Sequence, residues 1–228
     1  MLHSPLWKTS VPPFQLIIFD CDGTLVDTER VGNQVIVESL QNMGHAITLD
    51  EALAAFAGRK MADTLKLIEE RLGAPLPPAF LDRLREDMAV AFEERLETMP
   101  GVPDVLDFLQ ASHVPRCVAS NGPHEKMEIS LGVTGLLPYF GQSVFSAYEC
   151  KSWKPDPGLF FFAAEKMGYP PSACAVVEDS AFGVRGGIAA GMTVFGYAPR
   201  HEGNDLKSLG ARVFHHMDEL PHLLRSMP

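Results

Sequence analysis

Cysteine is scarce in this chain and follows no pattern. Cys21, Cys117, Cys150 and Cys174 are the only four in 228 residues, with no C-x-x-C pair and no zinc spacing to a histidine. A zinc ribbon and a dithiol redox site are therefore excluded. Three of the four lie in or beside apolar runs, where cysteine acts as a small buried hydrophobe, and the expected location is a reducing cytoplasm. No run approaches the ~20 apolar residues that cross a bilayer. The first residues, MLHSPLWKTSVPP, hold no apolar stretch of signal-peptide length. Positive charge is also short: 19 Lys and Arg face 29 Asp and Glu, a net −10. A nucleic-acid surface or an anionic-membrane surface does not suit that balance. An anionic substrate would need a local cluster of cations or a metal. There is no internal repeat and no low-complexity segment.

What is present is an ordinary globular composition, 46% hydrophobic and 21% charged, in a chain long enough for one domain with an insertion. Phe14–Phe19 is a short apolar run rich in β-branched and aromatic residues, which predicts a strand buried on both faces. Further strands are expected at Arg116–Ala119, Ala175–Val177 and Thr193–Tyr197, with a weaker one at Val144–Phe145. Helical patterns separate them at Pro103–Ser112, Pro123–Gly132, Pro157–Met167 and Ala181–Ala190. Gly132, Gly168 and Gly191 close several of these. Strand and helix in alternation predict an α/β fold, a Rossmann-like parallel sheet with helices on both faces. From Thr28 to Met99 the rhythm breaks. Four helical blocks follow one another at Glu29–Met43, Leu49–Phe56, Met61–Leu72 and Pro78–Glu97. That is too long for one crossover. It predicts an inserted all-helical cap over 28–98, hinged near 26–29 and 98–101, with the core made of 1–27 and 99–228.

The segment FQLIIFDCDGTLVDTE, residues 14 to 29, ends its greasy run in Asp20 and Asp22. Residues i and i+2 of an extended chain face the same way, roughly 7 Å apart. Both acids point out of the carboxyl end of a strand, where open α/β sheets bind ligands. Two such carboxylates repel unless a cation lies between them or one holds a proton. Gly23 and Thr24 let the backbone turn and offer N–H groups to an anion. Three further strand ends carry polar groups. Ser120 and Asn121 in VASNGP precede a helix at Pro123, an arrangement that suits an anion and equally an ordinary N-cap. In KSWKPDP, Lys154 or Lys151 is a point charge on backbone stiffened by Pro155 and Pro157. In CAVVEDSAFGVRGG, Glu178 and Asp179 are oxygen donors suited to a hard ion such as Mg²⁺. The glycines that follow lack the G-x-G-x-x-G order of a dinucleotide loop and fit close helix packing.

Asp-x-Asp, Ser-Asn, Lys and Glu-Asp at four successive strand ends resemble the haloacid-dehalogenase-like superfamily, over about Phe14 to Glu219. The branch it resembles has a helical cap inserted after the first motif and holds phosphoglycolate-phosphatase-like and β-phosphoglucomutase-like members. SNGP followed by KM, with WKPDP downstream, is most similar to bacterial phosphatases of small sugar phosphates. The resemblance implies Asp20 as nucleophile and Asp22 as acid and base. It implies Mg²⁺ held by the Asp20 carboxylate, the Asp22 main-chain carbonyl, Asp179, and Glu178 directly or through water. Ser120, Asn121 and Lys154 would hold phosphoryl oxygens, with Thr24 as a helper. Asp22 argues against dehalogenation, which uses no second acid and no metal. Gly32 stands where mutase-type members carry a histidine, which lowers a sugar-phosphomutase reading. A non-catalytic metabolite-binding protein is the remaining alternative, and the intact motifs weigh against it. The segment FAGRKM, 56–61, matches the family's substrate-reading loop, with Arg59 or Lys60 meeting a sugar oxygen or a second anion. The expected partner is a small phosphomonoester, the expected state a monomer or weak homo-oligomer.

Overall fold

The structure, a computed structural model, describes residues 13–56, 59 and 61–226. The chain enters through β1 (Leu16–Phe19) and then runs through α1 (Thr28–Asn42), α2 (Leu49–Phe56), α3 (Met61–Leu72) and α4 (Phe80–Arg95). It continues with α5 (Val102–Ala111), β2 (Arg116–Ser120), α6 (His124–Val133), α7 (Leu137–Phe140), β3 (Val144–Ser146), α8 (Ala147–Cys150) and α9 (Gly158–Met167). The last part is β4 (Cys174–Glu178), α10 (Ala181–Ala189), β5 (Thr193–Tyr197), α11 (Asn204–Ser208), β6 (Arg212–Phe214) and α12 (Leu220–Arg225).

The six strands form one sheet in the order β3-β2-β1-β4-β5-β6, every pair parallel. The Rossmann-like α/β architecture expected from strand–helix alternation is the one observed. Parallel central strands are covered on both faces, so they are apolar at every position. LIIF of β1 and CAVV of β4 are buried throughout. Leu16, Ile18, Cys117 and Val176 join Leu159, Phe160 and Val184 from α9 and α10 in one core. The register places Phe19 opposite Val118 on one side and Val177 on the other. The carboxyl ends of β1, β2 and β4 are therefore level. Strand order reverses at β1, the position where such sheets open a crevice. The described cysteines are free thiols, three of them buried. Among the described residues no helix is long and apolar enough to cross a membrane.

The chain divides into two compact units, Met1–Leu25 with Thr98–Pro228, and Val26–Glu97. The first holds the whole sheet. Its chain leaves at Leu25 and returns at Thr98, and Met99 N donates to Leu25 O at 2.9 Å. The second unit is all helical among its described residues. In it α1 packs on α2 and α4, and Arg95 bonds Glu38 at 2.7 Å. Thr48 caps α2 in a reciprocal box, Thr48 Oγ1 accepting from Glu51 N and Glu51 Oε2 accepting from Thr48 N at 2.8 Å.

β6 and the short helices α7, α8, α11 and α12 are additions to the elements read from the sequence. β6 is three residues long with Arg212 exposed, on the sheet's edge. It shows neither an unbroken apolar run nor a full alternation.

Candidate active site

Asp20 follows β1 directly, and its N–H donates to Val177 O at 2.9 Å, tying it to β4. Asp20, Lys154 and Glu178 are all buried. The Lys154 ammonium lies between the two acids, donating to Asp20 Oδ1 and, at 2.8 Å, to Glu178 Oε1. Its Nζ also stands 5.2 Å from the Phe160 ring centroid. Of the two lysines the sequence left open, Lys154 is the one at the acids; Lys151 is exposed at the C-terminus of α8.

One ammonium does not balance two acids. Burial pushes the Asp20 carboxyl up to about 7; Lys154 opposes that rise, and the Glu178 and Asp22 charges add to it. Burial alone would depress Lys154, yet the charges and hydrogen bonds of Asp20 and Glu178 outweigh it and hold the ammonium above its ordinary range. Burial, followed by the charges of Asp22 and Asp20, pushes the Cys21 thiol well up, which removes it as a nucleophile at neutral pH.

The acids of β1 and β4 converge. Asp20, Glu178 and Asp179 each offer a carboxylate oxygen, and these lie within 4.8 Å of one another. Hard oxygens with surplus negative charge fit Mg²⁺. Asp179 is the more exposed member and also accepts from Thr24 Oγ1 at 3.3 Å. Both Glu178 oxygens are engaged, Oε1 by Lys154 and Oε2 by Ser180 N at 2.6 Å. That allots Glu178 chiefly to fixing Lys154 and the start of α10. Thr24 is fully buried and acts on Asp179.

Two glycines make this closeness possible. Gly23 has φ +82° and a Cβ there would fall on the Asp179 carboxylate; at Gly183 it would fall on Glu178. Gly23→Ala should therefore lose about 1–2 kcal/mol from backbone strain alone, and displace Asp179 as well. Denaturant melts with and without Mg²⁺ check this: the variant should melt earlier and respond less to the ion.

Ser120 ends β2, buried, with its Oγ accepting from Gly122 N at 3.1 Å and its O–H left to donate. Asn121 follows Ser120 directly. Its Oδ1 accepts from Lys154 N at 2.8 Å and its Nδ2 donates to Lys154 O at 3.3 Å. The side chain thus clamps the backbone that carries Lys154. Arg59 belongs to the helical unit, where its Nε donates to Ala55 O at 2.7 Å. Lys60 lies outside the described residues.

Sequence reasoning missed Lys126. In the first turn of α6, its Nζ donates to Asp22 Oδ2 at 2.7 Å. Burial would lower this lysine, but the charge and hydrogen bond of Asp22 outweigh it and the net direction is upward. One local signal exists: a lysine in a helix's first turn stands against the macrodipole.

Comparison with known proteins agrees with this geometry. The family model of haloacid dehalogenase-like hydrolases matches residues 14–191. The 6-phosphogluconate phosphatase of Escherichia coli (strain K12) is 33% identical over 213 residues, covering 93% of this chain and 95% of that one. The fructose-1-phosphate phosphatase of the same organism is 32% identical over 178 residues, 77% of this chain and 92% of that one. A HAD family hydrolase from Deinococcus radiodurans R1, solved with bound phosphate and sodium, superimposes with a TM-score of 0.85 at 31% identity, over 95% of this chain and all of that one. The chain belongs to the haloacid dehalogenase-like hydrolases.

Proposed function

We propose that the protein is a Mg²⁺-dependent phosphatase of a small phosphorylated sugar or sugar acid, working through an aspartyl-phosphate on Asp20. The observation that carries this reading is the position of Asp20. It is a buried carboxylate at the sheet's switch point, held by Lys154 and faced by the acids of β4. The relatives that act on 6-phosphogluconate and fructose 1-phosphate supply the substrate class.

Asp20 attacks phosphorus, forming an acyl phosphate as the ester P–O bond breaks. The electron pair of that bond passes to the alcohol oxygen, which takes a proton from Asp22. Asp22 then takes a proton from the water that hydrolyses the acyl phosphate and frees Asp20. Lys154 and the Ser120 hydroxyl offer donors to the phosphoryl oxygens. Asp20, Asp179 and the Asp22 main-chain carbonyl would hold Mg²⁺, with Glu178 beside them. When bound, the ion supplies neutralisation of the clustered acids and of the phosphoryl charge. The helical unit, Val26–Glu97, is proposed as the cap that selects the substrate through FAGRKM.

The test is phosphate release over a panel of phosphorylated metabolites, with Mg²⁺ and with a chelator. Turnover of sugar phosphates only with the metal is expected. An isomerised product without free phosphate would point to a mutase instead.

The site also sets a pH dependence. Folding raises the Asp20 carboxyl from 3.8 to about 7, so the folded protein binds that proton more tightly than the unfolded chain. This group favours the metal-free fold when protonated, and its contribution is lost as pH rises through about 7. Protons and Mg²⁺ compete for the same oxygens. The rise in Tm on adding Mg²⁺ should therefore grow from about pH 5.5 to about pH 8. A gain that is flat or shrinks over that range contradicts ion binding at Asp20.

A further inference from the structure

We infer that Lys126 is a positioning residue for Asp22, holding the acid by one carboxylate oxygen so that the other meets the leaving oxygen of the ester. This rests on the phosphatase reading above. Two observations carry it. Lys126 Nζ donates to Asp22 Oδ2 at 2.7 Å, across 104 residues of chain. Asp22 Oδ1 is buried and has no hydrogen-bonding partner among the described residues. The carboxylate is thus anchored on one side and unpartnered on the other. A buried oxygen left without a partner costs free energy, which a ligand hydrogen-bonding there would recover.

An ion pair as exposed as Lys126–Asp22 adds under about 1 kcal/mol to folding, so stability is a poor account of it. Orientation is a better one. A general acid works only when its proton is aimed, and carboxylates swing easily about the last side-chain torsion. Lys126 removes that freedom from α6, an element outside the loop that carries Asp22. The pair also offsets the cost of a cation in the first turn of that helix.

In the step concerned, an Asp20 oxygen bonds to phosphorus and the ester P–O bond breaks. The electron pair of that bond goes to the alcohol oxygen, and the proton on Asp22 Oδ1 follows it. Lys126 neither gives nor takes this proton. Its influence therefore scales with how much the leaving group needs one. A sugar alkoxide needs protonation; p-nitrophenolate leaves without it.

The experiment uses the full chain with Mg²⁺ and compares the parent, Lys126→Met and Lys126→Arg. It measures kcat/KM for the best sugar phosphate of the panel and for p-nitrophenyl phosphate. The ratio of the two should fall by about 10- to 100-fold in Lys126→Met, and Lys126→Arg should restore most of it. A lysine that merely supports the fold would lower both values together and leave the ratio alone. An unchanged ratio, or a fall that arginine does not relieve, overturns the inference. A parent protein that turns over neither ester overturns the phosphatase reading, and this inference with it.

Discussion

Asp20→Asn should abolish turnover while leaving the fold intact. The amide has the shape of the carboxylate but is no nucleophile, so kcat should fall by roughly 10⁴-fold or more. The variant should melt no earlier than the parent at neutral pH in the absence of metal. It exchanges a buried, crowded carboxylate for a neutral group, and Lys154 keeps Glu178 as a partner. Phosphate release and thermal melts on the same preparation separate the two effects. Retained activity takes the nucleophile's role from Asp20. Lost activity with lost structure would mean that the carboxylate holds the core together instead.

Lys154→Met is expected to fail on both counts. It removes the one ammonium shared by two buried acids and leaves both charges uncompensated, a loss of about 3–5 kcal/mol for breaking a buried pair. Methionine fills the space beside Phe160, so little of the loss comes from a cavity. The sign with pH is definite. Lys154 is held above its ordinary range, so its contribution is fully present below 10.5 and is lost only as pH rises through its folded value. Without it, Asp20 loses the interaction that restrains its rise and moves further above 7. The destabilisation is therefore largest in alkaline buffer and shrinks on acidification, as Asp20 takes up a proton. Urea melts of both proteins at several pH values measure this. A penalty that grows toward acid contradicts the shared-ammonium account. Turnover should be lost at every pH.

The sheet was legible because its central strands are short, wholly apolar and followed at once by polar residues. LIIF before Asp20 and CAVV before Glu178 cannot be placed anywhere but a two-sided core. The strand-end acids were legible for a related reason. Period-two geometry and level strand ends leave them one place to go. β6 was not, since three residues with an exposed arginine carry no period. The α7, α8 and α11 helices, of four or five residues, are likewise set by tertiary contacts. Within the site, what escaped were contacts between distant segments. Asn121 turning to the backbone of Lys154 joins residues 33 apart, and Lys126 reaching Asp22 joins residues 104 apart. Locally the first reads as a helix cap, and nothing beside the second points to its partner. Only the folded sheet makes them a clamp and an anchor.

The hydrogen bond from Met99 to Leu25 has a consequence for ancestry and for engineering. The excursion of 72 residues, Val26–Glu97, begins and ends at neighbouring points of the catalytic unit. Such a segment can be lengthened, traded for another or trimmed to a tight turn without shifting any strand's pairing. Asp20 and Asp22 both precede the exit, while Lys154, Glu178 and Asp179 follow the return. On the function proposed above, the groups that do the chemistry are encoded outside the excursion, and exchanging the excursion alone is the route to a new substrate.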